Sequence, residues 1–262
     1  MNLQLDHIVH FINRHPNEVV ERLQQINVHA VMGGQHEQWG TFNSLLYLEK
    51  TYIEFLAIED KEKAKESNNP LIKQLVREAE RGEGVFQVCF RTDNISALKQ
   101  MLEDKGFVAS SIFEGSRKRS DGKIIQWKML FVEDECPVSF PFFIEWNQSD
   151  HERLKDLKEL GFISETHSKT NINSIEFVVP ELEEIYSWAK MFDSEVTTTV
   201  ETFSIKSASI TISDCKIIFT QPTSTEGTHF KILKEKGARP FEISLSPNLV
   251  GEPVNLLGSS YL

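Results

Sequence analysis

Gly33-Gly34-Gln35-His36-Glu37-Gln38-Trp39-Gly40-Thr41-Phe42-Asn43 is followed by Ser44-Leu45-Leu46-Tyr47-Leu48 and then by Tyr52-Ile53-Glu54-Phe55-Leu56. A Gly-Gly turn delivers a histidine, a tryptophan and a second glycine turn into two runs with strand character. The second run holds a single carboxylate, Glu54, among bulky apolar neighbours. A carboxylate buried there without a partner is costly, so Glu54 either faces a polar cleft or is paired.

Before this stretch, Leu5 to Ile12 reads as a strand, with Leu5, His7, Val9 and Phe11 on one face and Asp6, Ile8, His10 and Ile12 on the other. Pro16 opens a helix with Val19, Val20, Leu23 and Ile26 as its stripe, and Asn27 suits a left-handed stop. With a weak strand near 28–32 and strands near 41–48 and 51–58, residues 1–58 form one β-α-β-β-β module. Residues 59–83 are charged and then amphipathic, and read as a helical connector. The pattern recurs over 84–147: a strand at 84–91, a helix at 95–105, a hairpin turn at Ser120-Asp121-Gly122-Lys123, and strands near 124–132 and 140–147. A helix follows at 151–161. A third copy runs from Ile172 through strands near 201–206, 208–212 and 215–220. After a helix near 228–236, Arg239 to Leu245 begins a truncated fourth. The expected organisation is therefore a paired-module part, 1–150, and a part at 151–262 without site residues.

The fold class expected from this repeat is α+β, with paired modules forming curved mixed sheets around a cleft. A net charge of -11 argues against nucleic acid, which needs clustered Lys and Arg. No run of about 18 apolar residues offers a membrane span, and the first residues lack a signal-peptide pattern. Cys89, Cys136 and Cys215 are widely spaced and odd in number, which fits a reduced, cytoplasmic protein. No Gly-x-Gly-x-x-Gly, Walker loop or Gly-x-Ser-x-Gly is present, so no nucleotide cofactor and no serine hydrolysis are expected.

The combination of Leu5-Asp6-His7, the Gly33–Asn43 block, Tyr52-Ile53-Glu54, Arg117-Lys118-Arg119-Ser120-Asp121-Gly122 with Trp127, and Pro141-Phe142-Phe143-Ile144-Glu145-Trp146 resembles the glyoxalase-like domain family. That family lies in the vicinal oxygen chelate superfamily, with glyoxalase I, extradiol dioxygenases and bleomycin-resistance proteins. The resemblance covers residues 5–150 well and the rest weakly. It implies metal ligands on the first and last strand of each module: His7, Glu54, Gln87 and Glu145. Gln87 departs from the histidine of many members. The corresponding set in the later copies, Ser174, Ile218 and Glu242, cannot chelate a metal.

Imidazole, amide and two carboxylates suit a divalent Mn, Fe, Ni or Zn ion. The competing reading is that these side chains bind each other, Arg117 or water in a cleft without metal. His36, between glycine turns, is a candidate general acid or base, as are Glu54 and Glu145. Trp39, Thr41, Asn43, Arg117, Arg119 and Trp127 are expected to border the cleft, the arginines favouring an anionic or carbonyl-bearing ligand. The expected function is the binding of such a small molecule, with metal-assisted lyase, isomerase or dioxygenase-like chemistry. The alternative is a non-catalytic binder or antibiotic-sequestering protein. A homodimer is the expected assembly.

Overall fold

In the computed structural model, which describes residues 3–119, 122–133, 136–249 and 251–262 and all their side chains except 198–200, Gly33 and Gly34 are not a turn. They lie inside a strand, β2 (Val31–His36). The chain reverses over residues 37–40, with Gly40 at φ 63°, into β3 (Thr41–Tyr47) and β4 (Tyr52–Ile58). The weak strand expected near 28–32 is thus displaced by about one turn of chain. The reason is a close approach. β2 pairs with β6 (Phe113–Arg119) at Gly34↔Arg119 and Gln35↔Lys118. A Cβ on Gly34 would lie 2.4 Å from the Lys118 carbonyl oxygen. Glycine is there to let two backbones meet.

That pairing closes a barrel. β1 (Gln4–Phe11) runs parallel to β4 and antiparallel to β5 (Gly84–Arg91). β7 (Ile124–Leu130) and β8 (Phe142–Trp146) complete the order β1-β4-β3-β2-β6-β7-β8-β5. Outside it lie α1 (Pro16–Gln25), which ends ahead of Asn27 at φ 58°, and α4 (Ile95–Asp104). Arg117 and Arg119, expected to border the cleft, are residues of β6. Ser120 and Asp121 of the expected turn lie outside the described residues, but Lys118↔Ile124 pairing and Gly122 at φ 89° mark the hairpin.

The connector is two helices, α2 (Lys61–Glu66) and α3 (Pro70–Glu78). Asn69 caps the second and Pro70 occupies its first turn, where a missing N–H costs nothing. Ala64, Leu71, Ile72 and Leu75 cluster with Val9, Phe11, Leu56 and Phe86. The connector therefore plugs one end of the barrel.

After α5 (Asp150–Glu159), capped by Ser149 with Glu152, come β9 (Asn171–Val178), α6 (Glu184–Phe192), β10 (Thr197–Glu201), β11 (Ile205–Ile212), β12 (Cys215–Pro222), α7 (Thr228–Lys236), β13 (Arg239–Ser246), β14 (Val254–Leu256) and β15 (Ser259–Tyr261). Seven strands form a second, open sheet in the order β10-β11-β12-β9-β13-β15-β14. The fourth copy consists of β13 and the β14–β15 hairpin. Register across β9 pairs Glu176 with both Ile218 and Glu242. Glu176, two places beyond Ser174, bonds Thr220 Oγ1 at 2.5 Å and lies 3.5 Å from His229 of α7. Glu176, Thr220 and Glu242 thus lie together on neighbouring strands of this sheet, a set that differs from the Ser174, Ile218 and Glu242 expected.

The two sheets share a core that includes Val88, Phe90, Phe177, Trp188, Phe219 and Ile243. Buried Arg239 adds a polar clamp: it donates to the Val85 carbonyl at 3.0 Å and to Glu78 Oε2 at 3.1 Å. His10, fully buried in β1, accepts from Tyr261 Oη at 2.7 Å through Nδ1 and donates from Nε2 to the Leu257 carbonyl at 3.0 Å. Burial pushes its pKa down to about 4, while the unfolded chain protonates near 6.5. Stability is therefore complete above pH 6.5 and falls as the pH drops from there to about 4. We expect His10 to account for a loss of about 3 kcal/mol across that window. Urea melts at pH 7.0 and 4.5, with His10→Asn flattening the difference, check this.

Candidate functional site

The barrel interior, between the connector helices and α5, holds a cavity with about 60 Å³ of free space. Its apolar walls are Leu56 from β4, Leu71 and Ile72 from the plug, and Met129 from β7. Three tryptophans form an aromatic belt: Trp39 lies 6.2 Å from Trp127, and Trp127 5.6 Å from Trp146. Trp127 fits against β6 because residue 115 is glycine; a Cβ there would stand 2.3 Å from the indole nitrogen.

The polar side begins at a strand irregularity. Leu5 pairs with Phe90 and His7 with Cys89, so Asp6 is an extra residue in the β1–β5 ladder. A bulge re-aims a side chain, and Asp6 abandons the strict alternation expected from sequence. Its Oδ1 lies 2.8 Å from His7 Nδ1. Its Oδ2 accepts from Trp146 Nε1 and from Arg153 Nη2, each at 3.0 Å. Burial alone would raise this carboxyl's pKa, but Arg153, His7 and Arg91 hold it well below the usual carboxylate range. Because Asp6 is ionised, His7 Nδ1 carries a proton and Nε2 faces the cavity. The imidazole stacks on Tyr52 at 4.4 Å.

His7 Nε2 stands 3.7 Å from Glu54 Oε2. That is too long for a direct hydrogen bond. Glu54 Oε1 accepts from Asn43 Nδ2 at 2.5 Å, and Asn43 Oδ1 accepts from Arg117 Nη1 at 3.3 Å. A relay of side chains thus runs from Asp6 to Arg117 across the wall. Gly33 makes room for it: a Cβ there would lie 1.9 Å from Asn43 Oδ1 and 2.8 Å from Arg117 Nη1.

Three arginines line the cavity. Arg119 pairs with Asp156 of α5 at 2.8 Å. Arg153, also from α5, pairs with Asp6 and stacks over Trp146 at 4.7 Å. Arg117 is buried, makes no ion pair with a carboxylate among the described residues, and has an Nε with no hydrogen-bond partner. His36 lies in the wall between Trp39 and Trp127, with Nδ1 3.0 Å from Thr41 Oγ1. Burial pushes its pKa down to about 4, which keeps it neutral at physiological pH.

His7, His36, Asn43 and Glu54 therefore meet at one cavity, with Trp39, Thr41, Trp127, Arg117 and Arg119 around them. Gln87 and Glu145 do not join them. Gln87 Nε2 donates to Gln74 Oε1 and to the Phe140 carbonyl, and its Oε1 accepts from the Val88 amide. On β8 the cavity takes Phe142, Ile144 and Trp146. Strand alternation then turns Glu145 outward, where it accepts from the Ile95 amide at the start of α4 and from Lys128 Nζ. The cavity thus receives Trp146 in place of the expected Glu145, a difference of one residue of register.

The donors do not fit a divalent ion. Asp6, His7 and Cys89 are the described group whose ligand atoms lie within 4.8 Å of one another. Both Asp6 oxygens are engaged, by His7, Trp146 and Arg153, and two arginines stand beside them, whereas a metal requires a free carboxylate. His7 and Glu54 alone supply two donors. Sequence reading missed Asp6 and Arg153; the adjacency of Asp6 and His7 was the available signal for the first, and nothing local signals the second.

The glyoxalase-like domain profile matches residues 5–192. No curated protein sequence matches the chain. Among solved structures, the chain is similar to a hypothetical protein from Staphylococcus aureus, at 21% identity and a TM-score of 0.76, covering 99% of this chain and 98% of that one. It is also similar to a mutant of 4-hydroxymandelate synthase from Streptomyces coelicolor, at 9% identity and a TM-score of 0.58, covering 92% and 70%. A barrel of paired β-α-β-β-β modules with the vicinal oxygen chelate fold, and that profile over most of its length, make this chain a member of the glyoxalase-like domain family.

Proposed function

We propose that the barrel cavity binds a small anion bearing a carbonyl or hydroxyl group, and that His7 and Glu54 exchange a proton with it. The observation that carries this reading is Arg117: a buried guanidinium in the cavity wall that has, among the described residues, no carboxylate partner and no hydrogen-bond partner for Nε. An unpaired buried cation is costly, and an anionic ligand offsets that cost. Arg119 and Arg153 are already neutralised by Asp156 and Asp6.

The proton-transfer role rests on the His7–Glu54 gap. His7 Nε2 and Glu54 Oε2 stand 3.7 Å apart, a gap that one proton-bearing group of a ligand can bridge. A ligand hydroxyl or an acidic C–H next to a carbonyl supplies such a group. Glu54 is oriented by Asn43, and His7 by Asp6, so each is fixed before ligand arrives. Proton abstraction beside a carbonyl leaves an enolate, which Arg117 is placed to stabilise. His36, neutral and held to Thr41, serves as a polar wall group. The competing reading, a non-catalytic binder, draws support from the second module, whose cavity-lining residues Trp127, Met129, Phe142 and Ile144 offer no carboxylate.

A thermal-shift and calorimetric screen of small 2-oxo and 2-hydroxy acids tests binding. Arg117→Met is expected to weaken any acid that binds by on the order of 10- to 100-fold. Unchanged affinity would remove Arg117 as the anchor. Catalysis is read by NMR as deuterium exchange at the carbon beside the carbonyl: Glu54→Gln is expected to abolish exchange while binding persists. Absence of exchange in the wild-type protein would leave the binder reading. Gly33→Ala, by displacing Asn43 and Arg117, is expected to cost about 1–3 kcal/mol of stability and to weaken acid binding. Chelator treatment followed by Mn²⁺ or Zn²⁺ is expected to leave the melting temperature unchanged; a concentration-dependent rise would overturn the donor-set argument.

A further inference from the structure

A second chamber adjoins the barrel cavity. It holds about 260 Å³ of free space and lies beneath α5, beside the β3–β4 turn. Its walls meet those of the barrel cavity at Tyr47, Tyr52, Arg153 and Leu157. Leu48, Leu154 and Ile163 extend the apolar lining outward. Tyr47, Tyr52, Leu157 and Ile163, with Leu45, form their own buried cluster, packed by Leu154 and separate from the two larger cores. Such satellite clusters ordinarily fill the space beneath a covering segment; this one leaves a chamber.

The two volumes are unequal in a telling direction. A water occupies roughly 10–15 Å³ by the same measure. The barrel cavity therefore has room for a few heavy atoms beside its polar groups, and the side chamber for several times more. Arg91, the buried charge in the side chamber, spends its donors on Asp150, Gln4 and the carbonyls of Leu5 and Lys50. The side chamber thus offers chiefly apolar contact, whereas the barrel cavity holds the unpaired cation and the proton-transfer pair. Buried Thr51, whose hydroxyl is without a partner among the described residues, adds one polar point to this wall.

We infer that the ligand is bipartite: its anionic, reacting end sits in the barrel cavity at Arg117, His7 and Glu54, and an unbranched apolar tail occupies the side chamber between Tyr47, Tyr52, Leu154 and Ile163. This deepens the function proposed above and rests on it. It assigns the substrate class as amphipathic acids with a short alkyl or acyl chain rather than the smallest oxo acids.

Calorimetry with a series of straight-chain 2-oxo acids, from pyruvate to 2-oxooctanoate, tests the inference. Affinity for the wild-type protein is expected to rise about fourfold for each added methylene. Leu154→Trp fills the side chamber from a half-buried position, and is expected to abolish that rise while leaving pyruvate affinity unchanged. Leu154→Phe, a smaller filling, is expected to truncate the rise at an intermediate length, and melting curves establish that each variant is folded. Equal affinity for all lengths in the wild-type protein would overturn the bipartite ligand while leaving the anion site standing. So would a rise undiminished in both folded variants. Failure of every acid to bind would sink the anion site and the inference together.

Discussion

A carboxylate stripped of water has to be surrounded by donors, and Asp6 imposes that condition on the whole barrel mouth. It is fully buried, and its partners come from four segments: His7 from β1, Arg91 from β5, Trp146 from β8 and Arg153 from α5. Removing any cation would leave an uncompensated charge, which costs several kcal/mol. The barrel ladder, the aromatic belt and the covering helix are therefore positioned by one group that never touches the cavity directly. The bulge that creates this arrangement inserts a single residue into β1. Without it, Asp6 and His7 would face opposite sides of the sheet.

Much of the architecture was legible because repeats announce themselves. Strand, helix and three strands recur at 4–58 and 84–146, and Pro16, Asn27 and Asn69 mark helix limits by backbone chemistry that does not depend on distant contacts. The errors fall where a partner far along the chain decides. Gly33-Gly34 looks like a turn, since glycine pairs usually are; the Asn43 and Arg117 side chains beside Gly33 and the Lys118 carbonyl beside Gly34 explain them. Glu145 looks like the counterpart of Glu54, since Tyr-Ile-Glu-Phe and Phe-Ile-Glu-Trp align by eye. Alternation on β8 turns it outward, and the amide of Ile95 and the ammonium of Lys128 receive it. Arg117 and Arg119 are expected at the cleft border, but only the pairing of β6 with β2 and β7 shows that a strand carries them there.

The site itself was legible on its first-module side, where His7, Glu54, His36 and Asn43 lie on strands whose faces the sequence specifies. The second module contributes the guanidinium groups of Arg117 and Arg119 and a wall of Phe142, Ile144, Trp127 and Met129. Duplicated modules thus give two walls of similar backbone and different chemistry: the first carries His7, His36 and Glu54, the second carries the arginines and no carboxylate. The helical residues that finish the enclosure, Arg153, Asp156 and Leu157, sit beyond the paired modules. No local pattern in Asp150–Glu159 distinguishes a helix that seals a cavity from one that merely links two halves.

The meeting of Gly34 with β6 has a further consequence, for solubility. A strand without a neighbour presents unsatisfied amides and carbonyls to other chains. By letting β2 and β6 touch, Gly34 leaves the eight-stranded sheet with no free margin at all. The seven-stranded sheet keeps two, β10 and β14. Both are poor templates: β14 is three residues long, and β10 breaks register between Thr198 and Val200. Propagation of strand pairing from one molecule to the next is thereby blocked at one sheet by closure and at the other by brevity and irregularity.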